Sequence, residues 1–144
     1  MVRSISHTIE IDAAPEVVWR ELADTGSYGD WNPFVRRLEG ELTEGARLEV
    51  EITPPEGRAM TFKPTVIAAK PGRELRWLGH LLVRGLFDGE HSFELEPLTG
   101  DRTRFTQSER FSGLLVRPLG GGLAKTQRGF EAMNRALKAR AETA

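Results

Sequence analysis

Hydrophobic and polar residues alternate along much of the chain, which predicts β-strands. Clear examples are the segments RSISHTIEIDA near the start, LFDGEHSFELEP, and TRFTQSERFSG further on. Because successive side chains of a strand point to opposite faces, each segment has one mainly apolar face and one polar face. About six extended segments joined by short turns follow from FVRRLEGEL onwards, which predicts an antiparallel meander with one solvated face.

Three other segments have helical signals. Pro15 suits the first turn of a helix in APEVVWRELADTGSY, and Pro33 ends a second, short helix in YGDWNPF. A long amphipathic helix is predicted near the end of the chain, because apolar residues recur there at steps of three and four. Its stripe consists of Leu119, Leu123, Thr126, Phe130, Met133 and Leu137.

A sheet with one apolar face must cover that face, and only the last helix is long enough to do so. We therefore predict an α+β fold in which a curved antiparallel β-sheet of about seven strands wraps around a long C-terminal helix. Two short helices follow the first strand. No repeat, low-complexity tract or linker interrupts the sequence, so we expect a single domain over residues 1–144.

Composition narrows the classes of function. The net charge of −1 gives no general attraction to nucleic acid or anionic lipid. The chain has no cysteine, which excludes disulfides, thiolate catalysis and thiolate metal sites. No apolar run approaches the roughly 18 residues of a membrane span, and the first residues lack the apolar core of a signal peptide. We expect a cytoplasmic protein without integral membrane contact.

Polar residues occur on the predicted inner face of two neighbouring strands. Parity places His91 on the inner face of one strand, and Gln107 and Glu109 on that of the next. A hairpin symmetric about Gly100 places His91 opposite Glu109, and a shift by two residues places it opposite Gln107. Directly opposed residues have Cβ atoms roughly 4.5–5.5 Å apart, so either register clusters the three polar groups.

A buried carboxylate must be paired, protonated or hydrated, and three interpretations of Glu109 follow. Glu109 and His91 form a purely structural pair near the end of the sheet, or they orient the polar end of an apolar ligand. Alternatively, they form an acid–base pair in catalysis.

Four segments of the chain, together with the helix RGFEAMNRALKARAE, resemble a known superfamily. The segments are IDAAPEVVWRELAD, YGDWNPF, GLFDGEHSFELEP and TRFTQSERFSGLL. They are similar to the START-like, SRPBCC superfamily with its helix-grip fold, and specifically to its bacterial polyketide cyclase/dehydrase-like members. The superfamily includes lipid carriers, hormone receptors and cyclases, and the resemblance implies a hydrophobic cavity between the sheet and the last helix.

The expected function is binding of a small hydrophobic or amphipathic molecule, such as a lipid or an aromatic, polyketide-like metabolite. One alternative is a cyclase or dehydratase-like enzyme with His91 and Glu109 as catalytic candidates, and another is a co-chaperone-like protein-interaction module. Core packing competes with ligand contact for Trp31, and also for Trp77, which we expect opposite Gly89. The predicted ligand-binding residues are Trp31, Phe34, Trp77, His91, Phe93, Gln107, Glu109, Phe130 and Met133.

We expect no cofactor, metal or nucleic-acid partner. His7, His80 and His91 show no metal-binding spacing, and His7 fits a buried histidine with its polar groups satisfied. The segment GGGLAKT is no P-loop, because Ala124 stands where glycine is needed. Gly120–Gly122 form either a plain loop or a joint that gates the cavity. The oligomeric state stays open between a monomer and a weak dimer.

Overall fold

The structure is a computed structural model that describes residues 2–81, 85–114 and 123–144. Within these ranges the chain forms eight strands, three α-helices and one 3₁₀ turn at Thr25–Ser27. The helices are α1 (Pro15–Ala23), α2 (Tyr28–Trp31) and α3 (Leu123–Glu142). The strands are β1 (Val2–Ile11), β2 (Val35–Glu39), β3 (Glu49–Ile52), β4 (Met60–Phe62), β5 (Thr65–Lys70), β6 (Glu74–Leu81), β7 (Phe87–Leu98) and β8 (Arg102–Ser112).

The strands form two antiparallel sheets. The larger has the order β1-β8-β7-β6-β5, and the smaller has the order β2-β3-β4. An isolated bridge between Arg47 and Thr65 links the two. The count exceeds the expected seven because MTFKPTVIAAK, read as one extended segment, divides at Lys63 and Pro64. Proline has no N–H to donate to a ladder, and here it separates β4 from β5.

Helix α3 covers the apolar face of the larger sheet, as the alternation pattern predicts. Its side chains Phe130, Met133 and Leu137 have no exposed surface and belong to the same core cluster as Phe93 and Phe105. The α+β architecture with a curved sheet around a long C-terminal helix is therefore confirmed. Leu119, the first residue of the expected stripe, and Gly120–Gly122 lie outside the described residues.

The segment between α1 and β2 places Phe34 against α3. The Asn32 side-chain Oδ1 accepts hydrogen bonds from the backbone N–H groups of Phe34, at 3.0 Å, and Val35, at 2.9 Å. This turn directs the Phe34 ring onto Gly129 of α3, where a Cβ would overlap the ring. Phe34 also meets Phe130 edge to face, with ring centroids 5.6 Å apart.

A buried hydrogen bond holds α2 against α1. The Tyr28 hydroxyl donates to the Leu22 carbonyl oxygen, and burial raises the pKa of Tyr28 well above its ordinary value, with a smaller contribution from Asp24. Tyr28 therefore stays a neutral donor at any physiological pH. Among the described residues, no helix has the length and apolar character needed to cross a membrane.

Candidate functional site

A cavity of about 440 Å³ lies between β6–β8 of the larger sheet, the β3–β4 hairpin and the first turn of α3. This volume is within the range of small-molecule sites. Its walls are mainly apolar, and four of the nine predicted ligand-binding residues line it: Phe34, Trp77, His91 and Glu109. Further apolar lining comes from Val50, Ile52, Phe62, Phe87 and Phe111.

The register of the β7–β8 hairpin is the symmetric one. His91 pairs with Glu109, and Phe93 pairs with Gln107. The expected pairing of Trp77 with Gly89 is wrong, because β6 pairs with β7 so that Trp77 lies opposite His91 and Gly79 lies opposite Gly89. The Trp77 indole consequently stacks on the His91 imidazole, with centroids 5.0 Å apart and an interplanar angle of 25°.

His91 is held on both sides by polar partners and enclosed by aromatic rings. Its Nδ1 lies 3.1 Å from Glu109 Oε1, and its Nε2 lies 2.8 Å from Gln107 Oε1. The Phe93 and Phe130 rings are 4.8 and 5.1 Å from the imidazole between centroids. Only 4% of His91 is exposed, and these contacts fix the orientation of its ring.

The polar contacts continue from the sheet to the helix and on to β1. Gln107 Nε2 donates to Asn134 Oδ1 at 2.8 Å. Asn134 Nδ2 in turn lies 2.9 Å from His7 Nδ1 and donates to the His7 carbonyl oxygen at 3.1 Å. We call the series Glu109, His91, Gln107, Asn134 and His7 the polar relay. Three strands, β1, β7 and β8, and the helix α3 therefore contribute to a single line of hydrogen bonds.

Asn134 was missed from the sequence, although a signal was present. It occupies an apolar position of α3, four residues after Phe130 and three before Leu137, and it is fully buried. This is the same kind of exception that identifies Glu109 on β8. His7 is only partly buried, and Asn134 satisfies its Nδ1 and its carbonyl oxygen, in agreement with the expectation of a satisfied histidine.

Gly89 provides the space in which the Glu109 carboxylate lies. A Cβ added at Gly89 would overlap Glu109 Oε2 and approach the Phe111 ring at 3.8 Å. The Glu109 side chain is 18% exposed, against 5% for that of His91. The carboxylate is therefore more accessible from the cavity than the imidazole behind it.

The other five predicted ligand-binding residues lie outside the cavity lining. Trp31 is partly buried against the core and meets Tyr28 edge to face at 5.4 Å, which fits the packing alternative. The remaining four have no exposed surface and lie behind the wall, namely Phe93, Gln107, Phe130 and Met133. Direct ligand contact stays a prediction for all nine.

The exposed rim of the cavity carries positive charge. Arg58 and Lys125 are both exposed lining residues, one in the loop between β3 and β4 and the other in the first turn of α3. Lys125 Nζ lies 3.5 Å from the Glu56 carbonyl oxygen, and Arg128 lies 4.0 Å from the Glu56 carboxylate. These contacts join the loop to the helix at the rim.

The remaining histidine, His80, lines the cavity near its outer part and pairs with Asp88, with Nδ1 and Oδ1 2.9 Å apart. Within residues 2–81, 85–114 and 123–144, no group of three or more histidine or acidic side chains has the arrangement needed to hold a metal ion. On the cavity wall, His91 and Glu109 offer groups for hydrogen bonding and proton transfer.

Comparison with known proteins agrees with this geometry. Residues 2–142 match the family model described as polyketide cyclase/dehydrase and lipid transport. The chain belongs to the polyketide cyclase/dehydrase and lipid transport family. No curated protein matches the sequence of this chain.

Solved structures share the fold of this polyketide cyclase/dehydrase family member at low sequence identity. The Zhui aromatase/cyclase from Streptomyces sp. R1128 is 18% identical with a TM-score of 0.79, covering 99% of this chain and 94% of that one. A START superfamily protein from Mycobacterium smegmatis is 21% identical with a TM-score of 0.73, covering 97% of both chains. A protein from Thermus thermophilus is 18% identical with a TM-score of 0.73, covering 98% of both.

Proposed function

We propose that the protein binds a small hydrophobic or amphipathic molecule, such as a lipid or an aromatic, polyketide-like compound, in the cavity. The observation that carries this proposal is a half-open, mainly apolar cavity of about 440 Å³ with one polar cluster, His91 and Glu109. The cluster lies on the wall formed by β7 and β8, which we call the inner wall. Pockets of this design gain affinity from apolar burial and orient the ligand through a few polar groups.

The arrangement of polar groups favours an amphipathic ligand. The inner wall offers the Glu109 carboxylate, the middle of the cavity is apolar, and the rim offers Arg58 and Lys125. A molecule with a small polar group at one end and an acidic group at the other fits this order of environments. The family description, which includes lipid transport, supports the same class of ligand.

Native mass spectrometry and dye binding test the proposal. We expect the purified protein either to retain a small apolar molecule or to bind Nile red at micromolar concentration, equivalent to roughly −8 kcal/mol. The dye should be displaced by amphipathic aromatic compounds. If no molecule co-purifies and the dye does not bind, the cavity has no ligand of this class and the proposal fails.

Two variants separate ligand orientation from a purely structural pair. We expect His91→Gln and Glu109→Gln each to weaken binding of an aromatic ligand more than they lower the free energy of unfolding. Calorimetric titration gives the first quantity and urea unfolding the second. A loss of stability with unchanged binding to the folded fraction would assign the pair to the fold alone.

A second candidate function is cyclase- or dehydratase-like catalysis. The observation that favours it is the hydrogen bond between His91 and Glu109 on the wall of a cavity that can enclose a substrate. A carboxylate in this position can remove a proton from a carbon next to a carbonyl group and return it to another atom of the same molecule. A mainly apolar cavity of about 440 Å³ favours either small-molecule function over a protein-interaction module.

Deuterium exchange distinguishes catalysis from binding. A bound aryl 1,3-diketone should exchange the hydrogen atoms between its carbonyl groups faster than in buffer, and Glu109→Gln should remove the acceleration. Mass spectrometry of the recovered diketone measures the exchange. Tight binding without acceleration in the unmodified protein would leave binding as the function.

A further inference from the structure

We propose that the inner wall of the cavity selects ligands that carry a hydrogen-bond donor, a hydroxyl, phenol or amine, and that Glu109 Oε2 accepts this hydrogen bond. The inference rests on the proposed binding function and adds the chemical class of the group that reaches the wall. It follows from the direction of the hydrogen bonds in the polar relay, which the His7 backbone fixes at one end.

The His7 carbonyl oxygen determines the orientation of the Asn134 amide. A carbonyl oxygen only accepts hydrogen bonds, so the group 3.1 Å from it must be the Asn134 NH₂. Asn134 is fully buried, which leaves no water to take over either role. The opposite orientation would place Asn134 Oδ1 against the His7 carbonyl oxygen. Two acceptors would then face each other with no hydrogen atom between them, which is unfavourable.

The orientation of the Asn134 amide determines that of Gln107 and the protonation of His91 Nε2. Because Asn134 presents its Oδ1, Gln107 must present its NH₂ to Asn134, at 2.8 Å, and its Oε1 to His91. Gln107 has no exposed surface either. His91 Nε2 faces an acceptor at 2.8 Å and must therefore carry a hydrogen atom.

At the last step, His91 Nδ1 and Glu109 Oε1 share one hydrogen atom across 3.1 Å. If the hydrogen atom is on Nδ1, the pair is an imidazolium and a carboxylate. If it is on Oε1, the pair is a neutral imidazole and a carboxylic acid. Glu109 Oε2 is an acceptor in both cases, as a carboxylate oxygen or as the carbonyl oxygen of the acid.

Both nitrogens of His91 are thus occupied, and neither can donate to a ligand. Within the described part of the chain, Oε2 has no hydrogen-bond partner, and the missing side chain at Gly89 leaves it room beside the cavity. A ligand that reaches this wall with a hydroxyl group gains a hydrogen bond to a charged or strongly polar acceptor. A ligand that offers only a carbonyl or ether oxygen meets acceptor against acceptor.

A matched pair of ligands tests the inference. We expect 2-naphthol to bind about tenfold or more tightly than 2-methoxynaphthalene. This is the difference in affinity expected from one hydrogen bond to a charged acceptor. Calorimetric titration or displacement of Nile red measures both. Equal affinities, or tighter binding of the methoxy compound, would overturn the inference and leave the binding function standing. Absence of binding by both compounds and by Nile red would overturn both.

The variant Glu109→Met should abolish the preference. Its thioether is at most a weak acceptor, so the naphthol hydroxyl loses its partner on the inner wall. The methoxy compound should then bind at least as well as the naphthol. Glu96→Met is the matched control, because Glu96 is 62% exposed and outside the cavity lining, and it should retain the preference. An unchanged preference in Glu109→Met contradicts the assignment.

The positions of hydrogen atoms in the relay can be measured directly. In ¹⁵N NMR at neutral pH, we expect His91 Nε2 to be protonated, with its hydrogen atom protected from exchange. Gln107 is a positioning residue, and Gln107→Met, which removes the acceptor, should abolish that protection in protein shown to be folded by circular dichroism. An unprotonated Nε2 in the unmodified protein would overturn the inference, whatever the variant does.

Discussion

The Glu109 carboxylate has room on the cavity wall because residue 89 has no side chain. We predict that Gly89→Ala displaces the carboxylate and breaks its hydrogen bond to His91. Because the overlapping atom is at the end of a flexible side chain, the loss of about 1–2 kcal/mol in stability should come from the hydrogen bond and not from overpacking. Gly79→Ala is the control, because Gly79 lies directly opposite on β6 and its added Cβ would meet only Pro64, at 3.6 Å. Urea unfolding and the NMR spectrum of His91 measure the two effects. A control variant that costs as much as Gly89→Ala contradicts this explanation.

Single residues also show what the sequence can predict at this scale. The inward direction of His91 and Glu109 follows from strand parity alone, since a strand has a period of two. Asn134 interrupts the apolar stripe of α3 in the same way, but the sequence does not show that Gln107 and His7 lie beside it. The stacking of Trp77 on His91 depends on the β6–β7 register, which the single glycine of the linking segment, Gly85, does not fix from the sequence.

At the scale of elements, α3 approaches the segment between α2 and β2 closely because Gly129 faces the Phe34 ring. We predict that Gly129→Ala lowers the free energy of unfolding by about 1–3 kcal/mol, since a Cβ would overlap the ring in a packed core. This sign is the opposite of the effect of the same change on helix propensity, which favours alanine by about 1 kcal/mol. Ala139→Gly, at an exposed position of α3, measures the propensity effect alone. Chemical unfolding of both variants decides which effect dominates.

The end of α3 is attached to the end of β1 by Glu142. Its carboxylate accepts hydrogen bonds from Lys138 Nζ, at 2.6 Å, and from the Asp12 N–H, at 2.7 Å. These bonds, that of Lys138 first, lower the pKa of Glu142 below its ordinary 4.5. A lowered folded-state pKa means that the stabilisation is present above the unfolded value and is lost as the pH falls through the folded one.

We therefore predict a pH-dependent difference between the unmodified protein and Glu142→Gln. The unmodified protein should be more stable at neutral pH, and the difference should shrink as the pH falls from about 4.5 towards 3. Thermal unfolding followed at several pH values gives both curves. A difference that grows on acidification would show that Glu142 is not held as a carboxylate by these partners.

At the scale of the whole molecule, the cavity is a volume that the fold keeps free of side chains. We predict that Ile52→Trp, which adds a large side chain to the lining, weakens Nile red binding by about tenfold or more. The free energy of unfolding should stay the same or rise, because the indole makes van der Waals contacts with apolar side chains that line the cavity. Ile67→Trp is the control, at a partly exposed position outside the cavity lining. Unchanged dye binding in Ile52→Trp would place the dye elsewhere.

The overall architecture could be predicted from the sequence because both hydrophobic patterns, the alternation in the strands and the stripe along α3, are strong. Alternation in β7 and β8 and the stripe of α3 leave one way to bury both apolar faces. The division of MTFKPTVIAAK into β4 and β5 was not predicted, although Pro64 gave a local signal for it. The size of the cavity could not be predicted, because it depends on how far the β3–β4 hairpin lies from the larger sheet and not on any residue pattern.

The hydrogen bond between His7 and Asn134 joins positions 127 residues apart. A nascent chain therefore exposes the isoleucines of β1 for most of the time that the described part of the chain takes to be synthesised. Such long-range closure slows folding and leaves apolar strands open to aggregation. The same bond gives His91 its fixed hydrogen atom only after β1, β8 and α3 have all docked. In a misfolded or partly folded molecule, the donors and acceptors of the polar relay therefore have no fixed orientation. Selectivity between ligands with and without a hydrogen-bond donor then measures complete folding.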